Sequence, residues 1–358
     1  MADRVDLIIN GRRVSAVAGQ TLLDAGLAAG RAIPHDCATG QCDTCRVRIH
    51  SGSVDDAGTR IGETVQACRA RLTSDTVIEF DEVPETVRRA GTVDRVVDLT
   101  AEIVEVTVAL RKRLIYLPGQ YVRVSFAGLP ARDYSPTLRS DGSGELNELI
   151  FQIRRQPDGA VSPLLGNKVG PGTAVKVEGP FGAAFHRLGR GRLVVVSSGV
   201  GWAPAWAVAR ASRLREPERE LLVVAGARHP QNLYMRPALD WLRERGATTI
   251  LTCSGSNPPP DARAGRPTLH MPMLTRDDIV LAAGAPEMVA AVQFLAAATG
   301  ATCYADPFYA AARGAEENPP SDTNFLQRSC SAWRAIGPLK RSPSPSRSST
   351  TPSMYGIR

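Results

Sequence analysis

Four cysteines near the start of the chain are spaced for metal chemistry. Cys37, Cys42 and Cys45 lie at C-x4-C-x2-C spacing, and Cys68 adds a fourth thiolate. Thiolates in this order hold a [2Fe–2S] core. A short loop brings three sulfurs to one small core only by bending sharply, and Gly40 inside the first gap takes up positive φ at little cost. Backbone N–H groups in such a loop can point at the sulfurs and offset their negative charge. Two plainer readings compete. Structural zinc sites more often pair two C-x2-C knuckles, and this chain has one. Disulfides suit small secreted domains, whereas this chain of 358 residues opens directly into strand-like sequence (Val5 to Asn10) without an export segment. His35 and Asp36 precede the first ligand and read as an edge residue and a solvated carboxylate, because four thiolates are already present. Cys253, Cys303 and Cys330 lack ligand spacing and read as buried small hydrophobes or free thiols.

Two further stretches could handle a dinucleotide. Arg132-Asp-Tyr134-Ser135 offers a cation for a pyrophosphate, a flat face for a ring system and a hydroxyl for a ring nitrogen. That combination suits a flavin, although four residues alone also fit an ordinary strand end. Gly199-Val-Gly201-Trp-Ala-Pro204 follows the apolar run Arg192 to Ser197 and leads into helical sequence. Glycines between a strand and a helix let a pyrophosphate approach the helix N-terminus. Pro204 fits a first helical turn. The third glycine of the usual Rossmann fingerprint is missing.

The elements that must position these residues fall into three patterns. In residues 1–85, Val5 to Asn10, Gly11 and Arg12 to Val17 read as a hairpin on an Asn-Gly turn. Thr21 caps a short helix, Leu22 to Ala29, which Gly30 ends. Cys45 to His50 and Thr76 to Phe80 alternate as strands. Asp81 to Thr86 is a polar linker. Residues 86–188 carry β-branched, alternating runs at Thr92 to Leu99, Ile103 to Leu110, Gln120 to Phe126 and Leu149 to Arg155, the pattern of an antiparallel barrel. Residues 189–310 alternate strand and helix, which predicts a parallel α/β sheet. Residues 311–358 are rich in serine and proline and are expected to be disordered.

The tail also explains the charge. From Ala310 onward seven Lys and Arg face three acidic residues, so +4 of the net +7 lies there and the body is nearly balanced. A solvated surface fits this better than a phosphate-binding face, and no nucleic-acid partner is expected. No apolar run is long enough to span a membrane. A cytoplasmic monomer is the expectation.

Taken in order, the motifs resemble known families. The cysteine loop and its surrounding strands are similar to plant-type ferredoxins, which implies a β-grasp (α+β) fold. Leu117-Pro-Gly-Gln-Tyr121, Arg132 to Ser135, Phe151 to Arg155, Gly159-Ala-Val161-Ser162 and Gly179-Pro-Phe-Gly182 resemble the flavin domain of the ferredoxin–NADP reductase superfamily. That resemblance implies an antiparallel β-barrel with FAD held by Arg132, Tyr134, Ser135, Arg154, Gly159, Val161 and Ser162. The superfamily's usual paired glycine is Asp158-Gly159 here. Gly199 to Pro204, Gly226-Ala-Arg228, Asn232-Leu-Tyr234 (a helix start) and Gly284-Ala-Pro286 resemble the nicotinamide domain, which implies nucleotide contacts at Gly199, Gly201, Pro204, Gly226, Arg228, Gly284 and Pro286. Val200 replaces the family's threonine and Ala283 its cysteine. NADH is expected over NADPH, because no Arg, Lys and Ser cluster follows Gly226. Phe308 matches the aromatic that often lies against the flavin, and with Ser135 and Tyr134 it completes the expected catalytic set.

Residues 4 to 309 thus resemble NADH-dependent oxygenase reductase components of the naphthalene dioxygenase reductase kind, which serve aromatic hydrocarbon catabolism. The resemblance implies electron flow from NADH to FAD, then to [2Fe–2S], then to an external oxygenase or its ferredoxin. NADH releases two electrons together and the cluster takes one at a time, so a flavin must lie between them. Orientation and insulation are required, and no acid–base catalyst is expected. His35, Asp36, Gln41, Asp43 and Thr44 would form the docking face. The same architecture could serve a diiron monooxygenase, a P450 or a deoxysugar dehydratase. Val200, Ala283 and the tail also allow a redox-sensing or binding module with impaired NADH activity.

Overall fold

The structure, a computed structural model, describes residues 3–31, 33–35, 38–40, 45–189 and 191–309. Cys37, Cys42, Asp36, Gln41, Asp43, Thr44, Cys330 and the C-terminal tail lie outside the described residues.

The N-terminal sheet runs in the order β2-β1-β7-β3-β5. Its elements are β1 (Arg4–Ile9), β2 (Arg12–Val17), α1 (Leu22–Ala28), β3 (Arg46–Ser51), β5 (Thr64–Gln66) and β7 (Thr76–Glu79), with a small separate pair of β4 (Val54–Asp55) and β6 (Arg71–Leu72). β1 and β7 are parallel and their other pairings antiparallel. The hairpin turn places Asn10 at φ 47° and Gly11 at φ 78°, the left-handed pair that matches strand twist. Thr21 caps α1 by accepting from the Asp24 N–H at 3.0 Å, while its hydroxyl donates to the Asp24 carboxylate. Leu22, Leu23 and Ala25 then bury against Leu7, Ile9, Val47 and Ile78. This is the expected β-grasp.

The second sheet comprises β8 (Val87–Asp98), β9 (Ile103–Leu110), β10 (Tyr121–Phe126), β11 (Arg132–Tyr134), β12 (Glu148–Arg154) and β13 (Ala174–Phe181), in the order β11-β10-β13-β8-β9-β12. An antiparallel bridge between Thr137 and Ile150 joins the chain leaving β11 to β12 and closes the barrel. Its first strand begins at Val87, not at Thr92, because Val87 to Gly91 pair with β13. Strand β13 itself was not anticipated, since its alternation is short and ends in Gly-Pro.

The third sheet is parallel throughout, in the order β17-β16-β15-β14-β18-β19. It is built from β14 (Leu193–Ser198), β15 (Leu221–Ala227), β16 (Thr248–Cys253), β17 (Arg263–Ala264), β18 (Ile279–Gly284) and β19 (Thr302–Pro307). Helices α2 (Trp202–Arg215) and α3 (Arg236–Arg243) cover one face and α4 (Pro286–Thr299) the other. Val195 packs toward α2 while Val194 and Val196 pack toward α4, so consecutive apolar residues are all buried. Each such side chain contributes about 1.5–3 kcal/mol on burial. The helix expected at Asn232 starts instead at Arg236. Asn232 is held by the barrel, its amide oxygen accepting from the Thr100 hydroxyl at 3.0 Å, and Pro237 sets the helix start. Among the described residues no helix is long and apolar enough to cross a membrane.

From β14 the chain steps through β15, β16 and β17 on one side, then returns to β18 on the other. Between β14 and β18 the direction of winding reverses. In open parallel sheets a crevice forms at the carboxyl ends of the two strands flanking such a reversal, and ligands bind there.

Candidate active site

The crevice is built by glycines that admit no side chain. Gly199 to Gly201 form a single tight turn at the end of β14, with α2 following at once. A Cβ on Gly201 would lie 2.3 Å from the Ala283 carbonyl oxygen, inside any real contact distance. Gly284, at φ 124°, would bring a Cβ to 2.4 Å from the Ser198 carbonyl oxygen. The two glycine turns therefore interlock across the reversal point, backbone against backbone, with no room for a side chain. Pro286 starts α4 beside them, Pro204 is buried in the first turn of α2, and the Phe308 N–H donates to the Gly284 carbonyl at 2.7 Å. Val200 is half-buried at the turn, and Ala283 is buried in the core beneath it. Gly226, next to last in β15, packs against the Thr252 hydroxyl, and Arg228 just beyond the strand is exposed.

The barrel supplies the opposite wall. Arg132, Tyr134 and Ser135 lie on or just after β11, and the chain beyond them reaches straight into the nucleotide-binding sheet. The Thr137 hydroxyl donates to the Ala203 carbonyl at 2.8 Å, a fully buried bond, and Trp206 Nε1 donates to the Arg139 carbonyl at 3.0 Å. The Glu102 carboxyl is held below the usual carboxylate range by Asn232 of the other domain and by Arg154. Tyr134 packs on Phe151 with ring centroids 5.9 Å apart, and burial pushes its hydroxyl up to about 12. Arg132 donates to the Ala131 carbonyl at 2.7 Å, and Arg154 is paired with Glu102 at 2.9 Å.

The loop at Gly159 closes on itself. The Gly159 N–H donates to the Gln156 carbonyl at 2.8 Å, and the Ser162 Oγ accepts from the Gln156 N–H at 2.9 Å. Val161 is buried in the barrel core, so only its backbone could face a ligand.

Asp306, a residue not anticipated, lies at the end of β19. Its Oδ2 is closed off from solvent and meets no hydrogen-bond partner among the described residues. Burial pushes its carboxyl up to about 7. The Ser135 hydroxyl is near enough to temper that rise without closing a hydrogen bond on Oδ2. An orphaned buried acceptor beside a hydroxyl, between a barrel and a glycine-lined crevice, fits a site built for a ligand with donors of its own. The only clue in the sequence was its place two residues before Phe308.

In the N-terminal domain, Cys45 is buried and Cys68 half-buried, with their sulfurs 3.3 Å apart. A disulfide would need about 2.05 Å. Two sulfurs on one metal ion, each at about 2.3 Å, can stand that far apart. The pair fits a shared iron. His35, exposed, turns its Nδ1 to the Ile33 carbonyl at 2.8 Å. Cys253 is fully buried, and burial pushes the Cys303 thiol up to about 12, so both behave as inert core thiols.

Three family models match in the order these sites occur: a 2Fe-2S iron-sulfur cluster binding domain over residues 7–73, an oxidoreductase FAD-binding domain over 92–186 and an oxidoreductase NAD-binding domain over 195–293. The chain is 32% identical over 324 residues to the reductase component, ferredoxin–NAD(P)(+), of the naphthalene 1,2-dioxygenase system of Pseudomonas putida, covering 84% of this chain and 97% of that protein. The chain belongs to the oxygenase-system reductase component family. It is an iron–sulfur flavoprotein and an NAD(P)H-dependent oxidoreductase, with a [2Fe–2S] cluster, FAD and a nicotinamide nucleotide as its cofactors. The reductase subunit of an aromatic O-demethylase from Amycolatopsis is 31% identical over 73% of this chain and 83% of its own length. Among solved structures, the Amycolatopsis cytochrome P450 reductase GcoB matches with a TM-score of 0.62 and 27% identity, over 86% of this chain and all of that one.

Proposed function

We propose that this reductase takes electrons from NADH and delivers them singly to the oxygenase component of a ring-hydroxylating dioxygenase system or to its ferredoxin. The observation that carries the reading is the crevice at the β14–β18 reversal, walled on the opposite side by Arg132 to Ser135. Gly199, Gly201 and Gly284 accept a pyrophosphate at close range, with Gly226 and Arg228 beyond them toward the adenosine. Tyr134 and Phe308 offer flat faces to a ring system, Ser135 a hydroxyl to its edge, and Arg132 a cation to a phosphate. When bound, FAD supplies the conversion between hydride and single-electron transfer. With a carboxyl raised to about 7, Asp306 holds or releases a proton at Oδ2 near neutral pH. Cys45 and Cys68 would hold one iron of the cluster, with Cys37 and Cys42 as the remaining ligands.

NADH is favoured because no cluster of Arg, Lys and Ser follows Gly226 in the chain to hold a 2′-phosphate. The chain is proposed to act as a cytoplasmic monomer of 38.3 kDa, a mass that light scattering checks. An anaerobic titration of the holoprotein with NADH tests the reading. Flavin and cluster together hold three electrons, so complete bleaching is expected at about 1.5 equivalents of NADH. A protein without flavin or iron–sulfur absorbance would overturn it. A second acceptor class, a P450 or other monooxygenase, is motivated by the demethylase relative. Reconstitution with each acceptor separates the two.

A further inference from the structure

Arg187 occupies a place that no cofactor reading uses. It lies on the segment leaving the barrel, after Gly182. Its guanidinium is sandwiched between two rings, 3.8 Å from the Phe185 centroid and 3.6 Å from the Tyr304 centroid. Phe185 belongs to the barrel exit and Tyr304 to β19, so one cation is gripped by two domains. Its Nη1 donates to the carbonyls of Ala183 at 2.8 Å and Phe185 at 3.1 Å. Its Nε donates to the carboxylate of Asp81, in the linker that follows the ferredoxin sheet. The Arg187 side chain is 13% exposed and that of Asp81 48%. The pair is anchored on one side and open on the other.

Asp81 is rigidly tied to the ferredoxin domain. The N–H of its neighbour Phe80 donates to Asn10 Oδ1 at 2.9 Å, and Asn10 Nδ2 donates back to the Phe80 carbonyl at 3.0 Å. Asn10 is the hairpin turn residue, so the linker leaves from a fixed point. At its far end the Thr86 hydroxyl donates to the Pro180 carbonyl at 3.1 Å. The charges of Asp81 and of Arg48 on β3 of the ferredoxin sheet both bear on the Tyr304 hydroxyl, Asp81 raising and Arg48 lowering it. Tyr304 and Asp306 are two residues apart on one strand and face the same way. The Arg187 clamp is thus one step along β19 from the group proposed to sit beside the flavin.

We infer that the Asp81–Arg187 pair, stacked between Phe185 and Tyr304, is an orientation clamp that holds the ferredoxin domain where its cluster can accept electrons from the flavin. The inference rests on the electron-transfer reading above. Each NADH becomes NAD+ with release of two electrons and one proton, and the electrons cross to the cluster one at a time. The crossing is made twice per NADH, and its rate depends on how the domains are held. Arg187 is a positioning residue. A desolvated cation between two rings is held firmly, whereas the half-exposed carboxylate lets salt weaken the pair.

The test uses the full-length holoprotein and the variants Asp81→Asn and Arg187→Leu, with Arg187→Lys as a partial rescue that keeps charge but loses the planar stack. Stopped-flow mixing with NADH follows flavin and cluster absorbance separately. Flavin reduction is expected at the wild-type rate, cluster reduction about tenfold slower in both main variants, and Arg187→Lys in between. Hydrogen exchange, which needs no turnover, is expected to speed up at the amides of residues 80–86 in Asp81→Asn and in wild-type protein at high salt. Unchanged cluster reduction in Asp81→Asn overturns the clamp, as does an equal slowing of flavin reduction. A wild-type protein lacking flavin or cluster would instead overturn the functional reading, leaving the exchange result to judge the clamp.

Discussion

Where the barrel meets the nucleotide-binding sheet, directional contacts cluster around a fully buried one: Thr137 to the Ala203 carbonyl, with Trp206 to the Arg139 carbonyl and Thr100 to Asn232 partly buried beside it. Where the ferredoxin sheet meets the barrel, the described residues join through a six-residue linker, the partly exposed Asp81–Arg187 pair and the Thr86–Pro180 bond. The chemistry accounts for the contrast. Hydride transfer requires two ring systems within van der Waals contact, so its walls must be fixed. Electron transfer tolerates a gap, and a domain that must also present its cluster to an external protein gains from a lighter hold.

The contrast can be broken from either side. The largest effect is expected at the cluster: Cys68→Ser should lose the iron–sulfur absorbance while keeping flavin and NADH-driven ferricyanide reduction. Loss of flavin as well would mean that the domains are not separable. Next, Gly201→Ala places a methyl 2.3 Å from the Ala283 carbonyl. It should slow flavin reduction by NADH about 100-fold with the cluster spectrum intact. A near-normal rate would show that the crevice is less fixed than argued.

Much of this was legible in the residues. The cysteine spacing, the Asn-Gly hairpin, the Thr21 cap and the glycine turns are local, each needing only its neighbours to act. Asp306 was not legible, because its carboxyl is raised by burial where two domains meet, with Ser135 across the interface only tempering the rise. The early start of β8 at Val87 depends on pairing with β13, itself hidden in a short run ending at Gly179-Pro180. Asn232 reads as a helix start and is instead taken by Thr100. Nothing in the sequence sets Arg187 apart from the other arginines; Phe185 and Tyr304, far apart in the chain, give it its place.

A matched pair of threonines sharpens the comparison further. Thr137→Val leaves the buried Ala203 carbonyl without its donor and should cost about 1–3 kcal/mol. Thr86→Val removes a less buried bond and should cost about 0.5–1 kcal/mol. Thermal or urea unfolding of holoprotein checks both, and equal costs would deny the difference between the junctions. The smallest effect concerns pH. A carboxyl raised from 3.8 to about 7 favours the folded state while it is protonated, and that contribution is lost as pH rises through about 7. Asp306→Asn removes the cost of burying the charge, so its melting temperature should gain on wild type from about pH 4 to about pH 7 and hold that gain above it. A constant gap across that range would place the shift elsewhere.

The central claim is that electrons enter at the crevice between β14 and β18 and leave through the cysteine loop. Rapid anaerobic mixing of the holoprotein with NADH, read at flavin and iron–sulfur wavelengths, tests it most directly. Flavin bleaching should come first and depend on NADH concentration, with cluster bleaching following at a rate independent of it. Cluster bleaching that precedes the flavin, or that persists in protein stripped of FAD, would contradict the account.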